Sequence, residues 1–163
     1  MHETPVGFKY ITDFMLKEDV LIGGEETGGV AFKNSIPERD GILSGLLILE
    51  LMSCRKKKIL DIMKAIDKEY GTYEYRTLDV KYPDDKKPKL MEMLKNTPPR
   101  EVLGRKVAEI KTRDGFKFIC EDRSWLMIRL SGTEPILRVY AEAPNEKKAL
   151  AILDFGKKLA YSV

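Results

Sequence analysis

Residues 73–163 predict an α+β domain, a mainly antiparallel sheet with helices on one face, and residues 1–72 predict part of a larger domain. Three observations carry this reading. From Tyr73 onward the apolar pattern alternates with period two through several short runs, interrupted by one helical stretch and closed by another. A proline break at Pro98 and Pro99 and a turn signal at Arg113, Asp114 and Gly115 separate those runs. The first 72 residues hold helices and one short strand, too few strands to close a sheet of their own.

Taken in order, 6–17 place Phe8, Ile11, Met15 and Leu16 near helical spacing, and 19–22 read as a short strand. The strand runs into Gly23, Gly24, Glu25, Glu26, Thr27, Gly28 and Gly29, where four glycines in seven residues mark a functional loop or a tight turn. Residues 42–52 are apolar almost all round the helical wheel and are expected to be buried. Ile59, Met63, Ile66 and Tyr70 then mark an amphipathic helix that ends at Gly71.

In the second half, 73–82 read as a strand and a helix passes through Leu90 and Leu94. Residues 107–110 and 116–120 form a hairpin about the Arg113, Asp114, Gly115 turn, and 125–130 and 136–142 alternate as two further strands. Asn145, after Pro144, caps a final amphipathic helix carrying Leu150, Leu153 and Leu159.

Composition excludes several classes of function. No stretch approaches the roughly 18 apolar residues of a membrane span, and the N-terminus lacks the regions of a signal peptide. Two cysteines, Cys54 and Cys120, make no disulfide framework, and with His2 as the single histidine neither a zinc site nor a Ser/His/Asp triad can be assembled. A reducing, cytoplasmic setting is expected. Net charge is +3, divided as −2 over 1–72 and +5 over 73–163, so the second half is the better host for an anion. The excess is too small and scattered to argue for nucleic acid, and the basic run Arg55, Lys56, Lys57, Lys58 reads as a solvated helix junction.

The segment Arg129, Leu130, Ser131, Gly132, Thr133, Glu134, Pro135, Ile136, Leu137, Arg138 is the richest in chemistry. Phosphate presents paired, charged acceptor oxygens, which arginine forks, short hydroxyls and bare backbone amides hold best. All three kinds of donor lie within these ten residues. A plain turn also uses Ser, Gly and Pro, but it has no need of arginines on otherwise apolar flanking strands.

Two separated motifs resemble those of one family, the α-D-phosphohexomutases, which include phosphoglucomutases and phosphomannomutases. Gly24, Glu25, Glu26, Thr27, Gly28, Gly29 is similar to their sugar-binding loop, and 129–138 to their phosphate-binding loop. The opening Glu3, Thr4, Pro5, Val6, Gly7, Phe8, Lys9 and the later Ile36, Pro37, Glu38, Arg39, Asp40, Gly41 resemble further family segments in the same order.

The resemblance implies that 1–72 are the C-terminal part of a third, α/β/α domain. It implies that 73–163 are a complete fourth domain of TATA-binding-protein-like fold, an antiparallel sheet with two helices. It implies a reversible transfer of phosphate between C1 and C6 of a hexose through an enzyme phosphoserine and a bisphosphate intermediate, with Mg²⁺ held by an Asp-rich loop. Neither the serine loop nor the metal loop is in this sequence, so the chain alone is expected to be inactive, with catalysis, Mg²⁺ and phosphoserine assigned to N-terminal domains of the same enzyme.

By the same resemblance Glu25 and Thr27 bind sugar hydroxyls, and Arg129, Ser131, Gly132 and Thr133 hold the phosphate that is not reacting, so its binding positions the distant end. Arg138 either joins that contact or lies behind the loop paired with Glu134. Thr27 stands for the commoner serine, Leu130 for the commoner proline, and Gly29 where some relatives carry a histidine. Arg39 matches a basic position near the active site of some relatives, or forms a salt bridge to Glu38 or Asp40. Gly7, Phe8 and Lys9 resemble a loop that helps relatives distinguish glucose from mannose. Two other readings remain open: a sugar-phosphate-binding module without catalysis, and a nucleic-acid-binding domain drawing on the +5 second half, which predicts steep salt dependence.

Overall fold

The computed structural model describes residues 1–163, which fall into two compact units, Met1–Glu69 and Tyr70–Val163.

In the first unit, helix α1 (Phe8–Lys17) follows Gly7, and a two-stranded antiparallel ribbon pairs β1 (Ile22–Gly24) with β2 (Val30–Phe32). Phe8 and Ile11 on α1 bury themselves with Ala31 of β2, and Met15 packs beside them. The strand expected at 19–22 is displaced: pairing begins at Ile22 and runs into the glycines, because the partner is the local return strand, Val30–Phe32. Helix α2 (Gly41–Arg55) starts where the Asp40 carboxylate accepts the Leu43 amide at 2.8 Å. It ends with Lys56 in the left-handed region, before α3 (Ile59–Tyr70).

The expected burial of 42–52 does not occur. No residue of α2 is buried, and Ile42 is 82% exposed. The wheel pattern reports an apolar surface that needs a partner, whereas a two-stranded ribbon and one small cluster give this unit too little sheet to supply one.

The second unit is built on a six-stranded antiparallel sheet. Its strands are β3 (Glu74–Lys81), β4 (Glu101–Val102), β5 (Arg105–Lys111), β6 (Phe116–Cys120), β7 (Trp125–Leu130) and β8 (Ile136–Ala143), in spatial order β3-β8-β7-β6-β5-β4. A 3₁₀ turn at Asp84–Lys86 leads into α4 (Lys87–Asn96), and α5 (Glu146–Tyr161) closes the chain, capped by the Asn145 side chain on the Lys148 amide at 3.0 Å. Strands β4 to β8 form a meander, and the last of them, β8, returns to lie beside β3.

Period-two alternation splits the sheet into two faces. Phe116, Phe118, Leu126, Ile128, Leu137, Val139 and Ala141 point into one core with Leu90 and Leu94 of α4 and Ile152 and Leu153 of α5. Tyr82, just past β3, is buried in the same core and donates its hydroxyl to the Ala160 carbonyl at 2.8 Å, tying the end of α5 to the strand. The chain is thus α/β plus α+β, the second unit having its antiparallel sheet and two helices around a single core. The opposite face carries Asp79, Arg138 and Arg129 in one row across β3, β8 and β7.

Candidate functional site

The glycine-rich loop is the turn of the β1–β2 ribbon. The Glu25 amide donates to the Gly29 carbonyl at 2.9 Å and the Gly28 amide to the Glu25 carbonyl at 3.0 Å, which rolls 25–29 into a closed bend with Thr27 exposed at its tip. The Glu25 side chain is only 16% exposed, so its charge needs company. Arg39 supplies it: one guanidinium nitrogen lies 3.6 Å from the Glu25 carboxylate, too long for a hydrogen bond, which leaves the carboxylate oxygens able to accept from a ligand.

Arg39 is itself clamped. Its Nε donates to Glu38 at 3.0 Å, its backbone amide reaches the same oxygen at 2.8 Å, and its guanidinium lies 5.2 Å from the centre of the Phe8 ring. That backbone N–H, and then the guanidinium, hold the Glu38 carboxyl below the usual carboxylate range. Of the two ion pairs the sequence suggests for Arg39, the one to Glu38 forms, while Asp40 is engaged as the cap of α2. The pair with Glu25 carries no signal in the sequence. Gly29 makes it possible, since a Cβ there would sit 2.5 Å from Arg39 Cδ.

The second loop joins β7 to β8. Arg129 and Arg138 are direct cross-strand partners, so both guanidiniums rise from the same face at the base of the loop. Between them the Ser131 amide donates to the Ile136 carbonyl at 3.1 Å, and the Ser131 hydroxyl oxygen accepts from the Glu134 amide at 3.1 Å. Gly132 and Thr133 are exposed at the tip.

Arg138 lies 3.6 Å from Asp79 and 3.7 Å from Glu134, and its Nε is buried with no hydrogen-bond partner. The pairing with Glu134 therefore forms as a long ion pair, and one buried N–H is left over. Beside Arg129 the β5–β6 turn comes close: Gly115, at φ 133°, leaves room for the strand, where a Cβ would meet the Ile128 carbonyl oxygen at 2.5 Å.

A family model described as phosphoglucomutase/phosphomannomutase, alpha/beta/alpha domain III, matches residues 1–70, and one for the C-terminal domain of the same family matches 78–155. The chain belongs to the phosphoglucomutase/phosphomannomutase family. It is similar to a phosphoglucosamine mutase of Methanocaldococcus jannaschii, 38% identical over 158 residues, which are 96% of this chain and 33% of the relative. A phosphoglucomutase/phosphomannomutase of Thermococcus kodakarensis is 33% identical over 156 residues, 96% of this chain and 32% of that protein. The chain therefore spans about a third of the length of the curated relatives it matches.

Among solved structures, one from Thermus thermophilus, provisionally described as a phosphomannomutase, superposes with a TM-score of 0.76 at 34% identity, over 97% of this chain and 30% of that one. A family protein of Burkholderia thailandensis shares the fold at a TM-score of 0.67 and 19% identity, over 96% of this chain and 31% of that one.

The candidate residues divide between the two family stretches. Glu25 and Thr27 fall in the domain III match; Arg129, Ser131, Gly132, Thr133 and Arg138 fall in the C-terminal domain match. Sequence reasoning missed three neighbours of these family loops. Asp79 shares the outward parity of Tyr75 and Thr77 and could have been found by alternation, whereas Gly115 carried only a turn signal. Lys87, whose ammonium reaches the Ser131 and Glu134 carbonyls at 2.8 Å each, carried none.

No helix of the chain is long and apolar enough to cross a membrane. No three His, Cys, Asp or Glu side chains converge into a group that could hold a metal ion. Cys120 is buried, which pushes its thiol up and away from thiolate chemistry.

Proposed function

We propose that this chain is the substrate-recognition portion of a phosphohexomutase, acting on a hexose phosphate that is interconverted between its 1- and 6-phosphates. The observation that carries the reading is the Arg129–Arg138 pair, two like charges set directly opposite each other at the base of the loop, with Asp79 and Glu134 approaching Arg138 too distantly to hydrogen-bond it. Such a pair is unfavourable by itself, and a phosphate supplies the negative charge that offsets it. The exposed Gly132 and Thr133 at the tip and the Ser131 hydroxyl add short donors that fit the remaining oxygens.

In this reading Glu25 accepts sugar hydroxyls, oriented by the Arg39 charge beside it, and Thr27 contributes a second directional bond. The phosphate loop holds the end of the substrate that is not reacting, so that its binding energy restrains the rest of the molecule. The phosphoserine that exchanges phosphate, and the Mg²⁺ that accompanies it, belong to domains other than these, and no step of the transfer runs through residues of this chain. The names of the relatives cover glucose, mannose and glucosamine phosphates, so the sugar class is a phosphorylated hexose or hexosamine. The protein's own setting is the cytoplasm, where such sugar phosphates are made and used.

The test is calorimetric titration of the chain with inorganic phosphate and with glucose 1-phosphate, alongside Arg129→Ala. Binding of both ligands by the native chain, lost in the variant, is the expected result. A chain that binds neither would overturn the reading.

A further inference from the structure

Lys87 begins α4, 44 residues before the phosphate loop, and its side chain is 17% exposed. Its ammonium has three hydrogens and three acceptors: the Ser131 carbonyl at 2.8 Å, the Glu134 carbonyl at 2.8 Å and the Asp84 carboxylate at 2.7 Å. The group is saturated. It has no donor left for a ligand, and Asp84 offsets its charge, so any influence it has on an anion passes through the loop.

That influence follows from peptide geometry. The chain has no cis peptide bonds, and in a planar trans peptide the C=O and the N–H point in opposite directions. Drawing the Ser131 carbonyl onto Lys87 therefore turns the next amide, that of Gly132, away from α4. Gly132 is exposed, and a Cβ there would meet nothing within 4 Å, so no neighbour crowds its Cα. The second anchor, on Glu134, holds the far end of the same turn; its peptide leads into Pro135, which has no N–H to aim. The Pro135 carbonyl is in turn taken by the Tyr82 amide at 2.8 Å, which continues the cradle onto the end of β3.

We infer that Lys87 is the positioning residue of the phosphate loop: it aims the Gly132 amide at an anionic ligand by fixing the two carbonyls that bracket the turn. This rests on the phosphate reading of the loop. The role is distinct from that of the arginines, which meet the anion as charges, and it explains why a cation is spent on two neutral carbonyls beside a site that has charge in plenty.

The test follows inorganic phosphate titrations of the full chain by ¹H–¹⁵N spectra, reading the Gly132 and Thr133 amides, with thermal melts in parallel. The native chain shows saturable shifts at both amides. Lys87→Met moves the Gly132 resonance before any phosphate is added and weakens phosphate binding about tenfold or more, since two charge-assisted hydrogen bonds that order the loop are lost. Lys87→Arg keeps charge and bulk and guards against a variant that fails to fold; a planar fork cannot serve three acceptors gathered about one nitrogen, so affinity falls severalfold while the melting temperature stays near native. Native affinity in either folded variant overturns the inference while leaving the phosphate reading intact. A native chain whose loop amides do not respond to phosphate overturns the reading itself, and the inference with it.

Discussion

Arg129 and Arg138 stand directly opposite each other across the β7–β8 ladder, and Asp79 and Glu134 approach Arg138 only to 3.6 and 3.7 Å. Facing like charges destabilise a strand pair by roughly 0.2–1 kcal/mol. Arg129→Ala is therefore expected to leave the ligand-free melting temperature unchanged or slightly raised, while abolishing the rise that phosphate causes in the native chain. Ligand affinity should fall on the order of tenfold to a hundredfold, the worth of a charge-assisted hydrogen bond. Melts with and without phosphate decide it, and an undiminished phosphate effect in the variant refutes the role given to Arg129.

Ser131→Ala tests the loop rather than the charge. The hydroxyl oxygen accepts from the Glu134 amide at 3.1 Å, so the change removes both a ligand donor and an internal brace. Affinity for phosphate should drop about fivefold, less than for Arg129→Ala, because a neutral hydrogen bond contributes about 1 kcal/mol. Calorimetry on the two variants side by side gives the ranking, and the reverse order would mean that loop shape outweighs charge here.

Glu25→Gln keeps the shape of the first loop and removes its negative charge beside Arg39. Glucose 1-phosphate should bind more weakly by about tenfold, since a charged acceptor is exchanged for a neutral one, while inorganic phosphate binds as before. Equal losses for both ligands would refute the division of labour between the two loops.

Gly29→Ala is a sterically defined probe of Arg39. The added methyl would lie 2.5 Å from Arg39 Cδ, so the arginine must leave its place over Phe8 and beside Glu25. Sugar-phosphate affinity should fall while phosphate affinity holds, and a crystal structure of the variant should show Arg39 displaced. An unmoved Arg39 would mean that the ribbon yields instead.

Asp122 gives a pH test away from either loop. Burial pushes its carboxyl up, but the Ser124 hydroxyl and amide and the Arg105 guanidinium, 2.6 Å away, outweigh this and leave it below its ordinary value of 3.8. A depressed carboxyl contributes stability that is present above the ordinary value and is lost as the pH falls through the folded one. Asp122→Asn should thus lower the urea midpoint at neutral pH, and the difference should shrink as the pH falls below the ordinary value of 3.8 and through the folded one. A gap that persists undiminished in acid would show that the aspartate acts by packing rather than charge.

The second unit was legible in detail because its signals are local. Strand alternation, the Asp114–Gly115 turn and the Asn145 cap each depend on residues a few positions apart, and the hairpin register that pairs Arg129 with Arg138 follows from the short loop between two alternating runs. The first unit was less so. The apolar wheel of α2 states that a surface wants covering and is silent on what covers it, and in this chain its side chains are exposed. The shift of β1 from 19–22 to Ile22–Gly24 has a similar origin, since apolar content located a strand but the return partner set its register.

What the sequence by itself determined is chemistry carried by contiguous residues: an acidic glycine-rich turn, and hydroxyls and a bare amide bracketed by two arginines. What only the tertiary structure decided is which distant groups hold that chemistry in place. Lys87 reaches the phosphate loop from the start of α4, Asp79 meets Arg138 through the β3–β8 ladder, and Arg39 reaches Glu25 across the space that Gly29 leaves open. Each of these contacts depends on how separate segments are packed, and a side chain's reach of a few ångströms carries no trace along the chain until the fold has brought its partner near.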